Sequence, residues 1–326
     1  VPRPRIVAVA ATALASVLVL AGCAAPDSAE GVTIEHVYGE TTVPANPQSV
    51  VTLGWGSADA AIALGVVPTA IPFEGYAGGD DGVLPWIEDA VDAAGTELPA
   101  VLPESADEPP YEAIAEAEPD VILAVYSGIT EEQYETLSQI APTVAFPEVA
   151  WSTPWRDVVS IVGEALGKTA EAEQVLADID AELAAQADAH PEFAGTTIAA
   201  VWDVAGTFYV YKKEDPRVEF LLDLGFENAP AVDALANGDQ TFYYTLSYEQ
   251  LDQLEADVVL SYSDTQAEAD AFLSSPQTAV IPAVAAGTAA TLVGTEYISA
   301  VSPPTALSLP WGLDAVIASL EAATAG

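Results

Sequence analysis

A phrase that occurs twice restricts the fold more than any other feature of this chain. YEAIAEAEPDVIL at 111–123 is echoed by YEQLDQLEADVVL at 248–260. Both run from an aromatic residue and a glutamate through a short helical pattern and an acidic break into a buried strand. The step from Glu112 to Asp120 equals that from Glu249 to Asp257. A helix–strand unit repeated in both halves points to two similar modules. Between them, Ala172, Val175, Leu176, Ile179 and Leu183 recur at helical spacing over 169–189, and Pro191 ends the pattern. Roughly 20 helical residues at about 1.5 Å each make a rod of about 30 Å, enough to cross one face of a module.

On either side of this rod, strand and helix patterns alternate. In the first half, strands are expected at 49–53, 66–71, 120–126 and 143–146, and helices at 57–64, 110–118 and 130–140. In the second half, strands are expected at 196–202, 207–211, 257–262 and 291–293, and helices at 215–224, 247–254 and 265–273. Pro303 and Pro304 precede a terminal helix ending near Ala323, which Pro310 should distort. Such punctuation is that of an α/β protein. The expected architecture is two β/α lobes, 32–165 and 191–326, joined by a single connecting helix within 166–190.

Arg3 and Arg5, an uncharged run over 6–20 and the small-residue sequence LAGC at 20–23 have the form of a secretory signal. The LAGC ending resembles the lipobox of bacterial lipoproteins. That resemblance implies cleavage of 1–22, lipidation of Cys23 and an acidic tether over 23–31. Two acyl chains anchor a protein stably where one does not. Cys23 is the sole cysteine, so its lipidation leaves no thiol for a disulfide. A plain secretory signal with a chance cysteine is the alternative. Past the signal no uninterrupted apolar run reaches the roughly 20 residues of a spanning helix. The expected product is a soluble body anchored outside the cytoplasm.

With 7 Lys and Arg against 50 Asp and Glu, the formal net charge is −43. Nucleic-acid binding needs a basic footprint and is excluded. Acidity of this degree has a sufficient explanation in solubility.

In this order, several phrases resemble one family: the solute-binding proteins of ABC importers for ferric siderophores, haem and cobalamin. GETTVPANPQSVVTLGWGSADAAIALGVVP at 39–68 is similar to its opening strand and helix. Glu112 to Leu123 looks like its glutamate–helix–strand signature, IAPTV at 140–144 like a common strand entry, and 211–226, with DPR and LGF, like the second lobe of iron–siderophore members. The resemblance covers nearly all of 32–326. It implies a ligand cleft between the lobes and a membrane permease as partner, docked through one glutamate per lobe. The match falls on Glu112 and Glu249. Helix-dipole complementation is the alternative role for both. The chain departs from the family's pattern at Ser49, where arginine is frequent, and over 102–111, which holds no Lys or Arg. Both departures point away from a highly anionic catecholate cargo; a ferric hydroxamate is expected, since an acidic chain with few cations suits a neutral or weakly charged complex, with haem or cobalamin as the alternative cargo.

A ferric siderophore brings its own metal ligands, so its receptor needs aromatic walls and a few donors, with no resident cofactor. In open α/β lobes ligands sit beyond the carboxyl ends of strands. Trp55, Tyr126, Ser127, Trp202 and Tyr262 follow or end expected strands, and Tyr209, Tyr211, Lys212, Tyr243 and Tyr244 form a dense aromatic group with a cation. Arg156 and Arg217 could meet ligand oxygens. The bland alternative is a core position for each ring and a surface ion pair for each cation. A direct metal receptor is disfavoured, because zinc sites want His and Cys clusters and the chain has only His36 and His190, read as structural or solvent-facing. No nucleophile elbow, P-loop or dinucleotide fingerprint appears. An enzyme is therefore not expected. A secreted hydrolase using paired carboxylates is the reading from a different class. As a binding protein, the chain is expected to act as a monomer.

Overall fold

Two separate sheets, one in each half of the chain, carry the structure, which is a computed structural model describing residues 1–2, 31–105, 108–238 and 240–324. Cys23 and the expected tether, apart from Gly31, lie outside those residues. Residues Gly31–Gly326 form one compact unit.

In the first half, β1 (Val32–His36) and β2 (Gly39–Val43) make a hairpin. There follow β3 (Val50–Thr52), α1 (Ser57–Ala63), β4 (Ala70–Ile71), α2 (Pro85–Ala94), β5 (Ala100–Val101), α3 (Tyr111–Glu116), β6 (Val121–Leu123), α4 (Glu131–Leu137) and β7 (Thr143–Val144). Strands β3 to β7 form a parallel sheet in the order β5-β4-β3-β6-β7. Its central strands, VVT and VIL, are buried throughout because both faces are covered. Val50 and Leu123 pack into one core layer, while Val51 and Ile122 pack into the other. Helix α4 is started by Thr130 and Gln133, each side chain bonded to the other residue's backbone N–H.

Helix α5 (Trp155–Ala165) then packs against α1 and against the long α6 (Thr169–Ala189), whose limits coincide with the expected rod. The second half continues with β8 (Thr197–Val204), β9 (Thr207–Tyr211), α7 (Pro216–Asp223), β10 (Glu227–Asn228), α8 (Pro230–Leu235), β11 (Tyr243–Leu246) and a 3₁₀ turn over Tyr248–Gln253. It ends with β12 (Val258–Ser263), α9 (Gln266–Ser274), α10 (Pro282–Ala286), β13 (Ala289–Val293), α11 (Thr295–Ala300) and α12 (Ser308–Thr324). This sheet is mixed, in the order β11-β9-β8-β12-β13, with β10 beside the start of β8.

The repeated phrase has a structural counterpart. Asp120 Oδ2 accepts the backbone N–H groups of Gln48 and Ser49 at 2.7 and 3.0 Å, holding the start of β3. Asp257 Oδ2 accepts the N–H and hydroxyl of Thr197 at 2.9 and 2.7 Å, holding the start of β8. These bonds favour the ionised carboxylates, and both acids lie below the usual range. In each half the repeated unit therefore clips the central strand to its parallel neighbour.

Three expectations are corrected. The strand expected at 66–71 pairs only at Ala70 and Ile71. Val66 N–H instead bonds back to Ala61 O to close α1, and Pro68 has no N–H to give. The helix expected at 247–254 is a 3₁₀ turn. Helix α12 runs unbroken through Pro310, which stands in the first turn, where an N–H has no intrahelical acceptor.

Beyond α6, the C-terminal segment returns to the first half. Asp59, buried in α1, accepts from Trp86 Nε1 at 2.6 Å and from Thr305 Oγ1 at 2.5 Å. Trp55 Nε1 donates to Pro303 O at 2.9 Å, and Trp311 Nε1 to Asp89 at 3.0 Å. The halves are thus tied by more than one helix, and the space between them has fixed walls.

Candidate functional site

The residues after β6 and β7 face those around the β9–α7 turn across a cavity of about 590 Å³. Tyr126, Trp151 and Pro154 stand on one wall. Arg217 and Phe242 stand on the other, and Pro303 of the C-terminal segment also lines the cavity.

Gly54, just after β3, has φ +71°, and a Cβ there would lie 2.1 Å from Tyr126 O. Glycine lets the two strand ends meet, with Trp55 N–H donating to that same carbonyl at 2.9 Å. Tyr126 is thereby held at the rim, half-buried, with its phenol pushed up by burial. Trp151 meets its ring edge-on at 5.9 Å and is 54% exposed. The indole lies over Gly128, where a Cβ would come within 2.1 Å of Nε1.

Opposite, Asp215 caps α7, accepting the backbone N–H of Arg217 at 2.8 Å. The same carboxylate takes the Arg217 side chain on both oxygens, Nε at 2.7 Å and Nη2 at 2.9 Å, and is fully buried. Nη1 donates to Ser302 Oγ at 3.0 Å, and the guanidinium lies 3.9 Å over the Tyr211 ring. Behind it Tyr211 meets Tyr262, and Tyr262 meets Trp202. Tyr209 and Tyr243 pair at 5.6 Å, and Phe242 packs on Tyr243. Burial pushes the Tyr211 phenol up to about 12. Across the gap, Tyr76 donates to Asp264, joining the loop after β4 to the end of β12.

Of the residues expected at the site, Tyr126 and Arg217 line the cavity. None of Tyr211, Tyr262, Trp202, Tyr209 and Tyr243 is among its lining: the first three form the chain of rings that starts at Arg217, and the last two pair beside Phe242. Trp55 lines a small adjoining recess with Pro303, and Ser127 lines a neighbouring one of about 350 Å³, its hydroxyl donating to Ala124 O. Three lie elsewhere. Tyr244 is buried in the core on the opposite face of the second sheet from Tyr243, as alternation along a strand requires. Arg156 bridges Asp180 and Asp223, linking α5 to α6 and α7. Lys212 donates to Gln240 O at 2.6 Å. Trp151, Phe242, Tyr76 and Asp215 were not foreseen; all but Asp215, the cap of α7, stand in loops that no periodicity marks. Glu112 and Glu249 are both exposed, one in the first turn of α3 and the other in the 3₁₀ turn.

His36 is buried, with Nδ1 accepting Tyr38 N–H at 3.2 Å and Nε2 facing Thr41 Oγ1 at 2.9 Å. His190 closes α6, stacked on Phe193. Among the described residues, no group of three or more His, Cys, Asp or Glu could hold a metal ion, and no helix is long and apolar enough to cross a membrane.

An α/β chain of two sheets joined by a long helix, with an aromatic cavity between them, has the build of a solute receptor. Residues 50–293 match the periplasmic binding protein family, and the chain belongs to it. The family is one of binding proteins, not enzymes. The chain is 26% identical over 263 residues to the probable siderophore-binding lipoprotein YfiY of Bacillus subtilis, covering 77% of each. The fold is similar to that of PiaA, an iron uptake ABC transporter substrate-binding protein of Streptococcus pneumoniae. The structure of PiaA in complex with ferrichrome has a TM-score of 0.78 and 30% identity, covering 90% of this chain and 99% of that one. A periplasmic solute binding protein of Mycobacterium smegmatis is 28% identical, with a TM-score of 0.76 and coverage of 90% and 99%.

Proposed function

We propose that this chain is the receptor of an ABC importer, taking up a ferric siderophore, with hydroxamates favoured, and delivering it to a membrane permease. The observation that carries this reading is the cavity of about 590 Å³ walled by Tyr126, Trp151, Phe242 and Arg217. It has the size of a small-molecule site, with aromatic rings among its lining and a few charged groups beside them. Similarity to a ferrichrome-bound receptor supports the same reading. Trp151 stands at the rim, so its fluorescence reports occupancy. Titration with a ferric trihydroxamate should give saturable one-to-one quenching, reduced in amplitude in Trp151→Phe. Linear, non-saturating quenching would reject the reading.

Anchoring through Cys23 belongs to the same proposal. The lipobox-like LAGC and the likeness to a lipoprotein support it. Cys23→Ser should move the protein from the membrane fraction to the soluble one, and retention of the variant on the membrane would reject the anchor.

A further inference from the structure

The cavity is acidic, and its one cation is already occupied. Glu148, Asp157, Glu214, Asp215 and Glu219 line it against a single guanidinium, Arg217. Arg217 is the residue a carboxylate or catecholate ligand would seek. Yet Asp215 meets it in a planar two-pronged pair, Nε to Oδ1 at 2.7 Å and Nη2 to Oδ2 at 2.9 Å. The carboxylate has no exposure and the guanidinium side chain only 15%. Tyr211 covers one face of the guanidinium, and Ser302 takes Nη1. A buried pair of this geometry presents no net charge to the cavity. Among the described residues no other cation lines the cavity: Arg156, Lys168 and Lys212 are engaged outside it, and Lys213, next to Glu214, is exposed and not part of the lining. What remains toward the ligand is chiefly the field of Glu148, Asp157 and Glu214, with Glu219 partly offset by the nearby Arg156.

Building on the chelate-receptor reading, we propose that Asp215 is a specificity-determining residue. By silencing Arg217 it makes the cavity select ferric chelates that are neutral or carry a positive group, such as a hydroxamate with a pendant ammonium, and reject polyanionic ones. Asparagine serves the helix-capping role of aspartate nearly as well. However, it presents an amide N–H where the guanidinium needs an acceptor. Asp215→Asn therefore leaves α7 capped and frees Arg217 toward the cavity.

The test is a fluorescence titration of wild type and Asp215→Asn with three probes. These are ferrichrome as a neutral trihydroxamate, a linear ferric trihydroxamate with a terminal ammonium, and a trianionic ferric tris-catecholate. Like-charge juxtaposition should place the tris-catecholate roughly 100-fold or more below the other two in wild type. Asp215→Asn should narrow that gap by about tenfold or more and weaken the ammonium chelate. In wild type, added salt should weaken the ammonium chelate and strengthen the tris-catecholate, a sign that can be read even if the variant does not fold. A tris-catecholate that binds wild type as well as ferrichrome does, an unchanged gap in a folded variant, or salt effects of the reverse sign would each overturn the proposal. If none of the three probes binds, the chelate reading falls and this proposal with it. Equal binding of all three removes the proposal alone.

Discussion

Glu74 shows how the first half's interior differs from its acidic surface. It lies on the loop after β4, beside Asp59 in a recess closed by Trp55 and Leu84. Burial, and secondarily the negative charge of Asp59, pushes its carboxyl from 4.5 up to about 7. Between those two values the folded chain keeps a proton that the unfolded chain releases. Stability therefore falls as pH rises from about 4.5 to about 7, and the loss is complete above that. At about 1.4 kcal/mol per pH unit the loss is at most roughly 3.5 kcal/mol. Glu74→Gln should abolish this part of the pH dependence, as read from urea midpoints at pH 5 and pH 8. Wild-type and variant midpoints that shift in parallel would contradict the assignment. Asp59, also raised by burial, contributes in the same direction and is common to both proteins.

At the scale of elements, the repeated helix–strand unit does most of the positioning. Asp120 and Asp257 clip equivalent strands, so Glu112 and Glu249 stand eight residues before equivalent points, both exposed. If they dock the permease, Glu112→Ala with Glu249→Ala should cut chelate uptake by cells severalfold while leaving the titration curve of the purified protein unchanged. Normal uptake by the double variant would return both residues to the ordinary role of helix-end acids, a few tenths to about 1 kcal/mol each. The elements that were legible in the sequence were those with a period or a stop. The rod of α6 was read to the residue because five apolar positions recur between clear ends. The two-residue strands β4, β5 and β7 carry too little pattern to set their limits. Tyr244 could have been separated from Tyr243 by alternation alone. Trp151 and Phe242 could not have been found that way, because loop residues are placed by contacts distant in sequence, as with Trp151 over Gly128.

For the whole molecule, the decisive feature is that two halves with their own sheets are fixed against each other. The clamps are α6, the Trp55–Pro303 and Asp59–Thr305 bonds, the Arg156 bridge and the Tyr76–Asp264 contact. So many ties predict small closure on binding rather than a wide swing, within the hinge-or-shear range of such receptors. A second large recess, about 710 Å³ around Gly206, Thr245 and Tyr248, lies within the second half alone. Hydrogen exchange with and without a saturating ferric trihydroxamate tells the two cavities apart. The predicted result is protection of 147–157 together with 214–217 and 241–242, the first from one side of the gap and the other two from the opposite side. Protection confined to one half, or centred on 206–208 and 245–250, would contradict a ligand held between the two sheets.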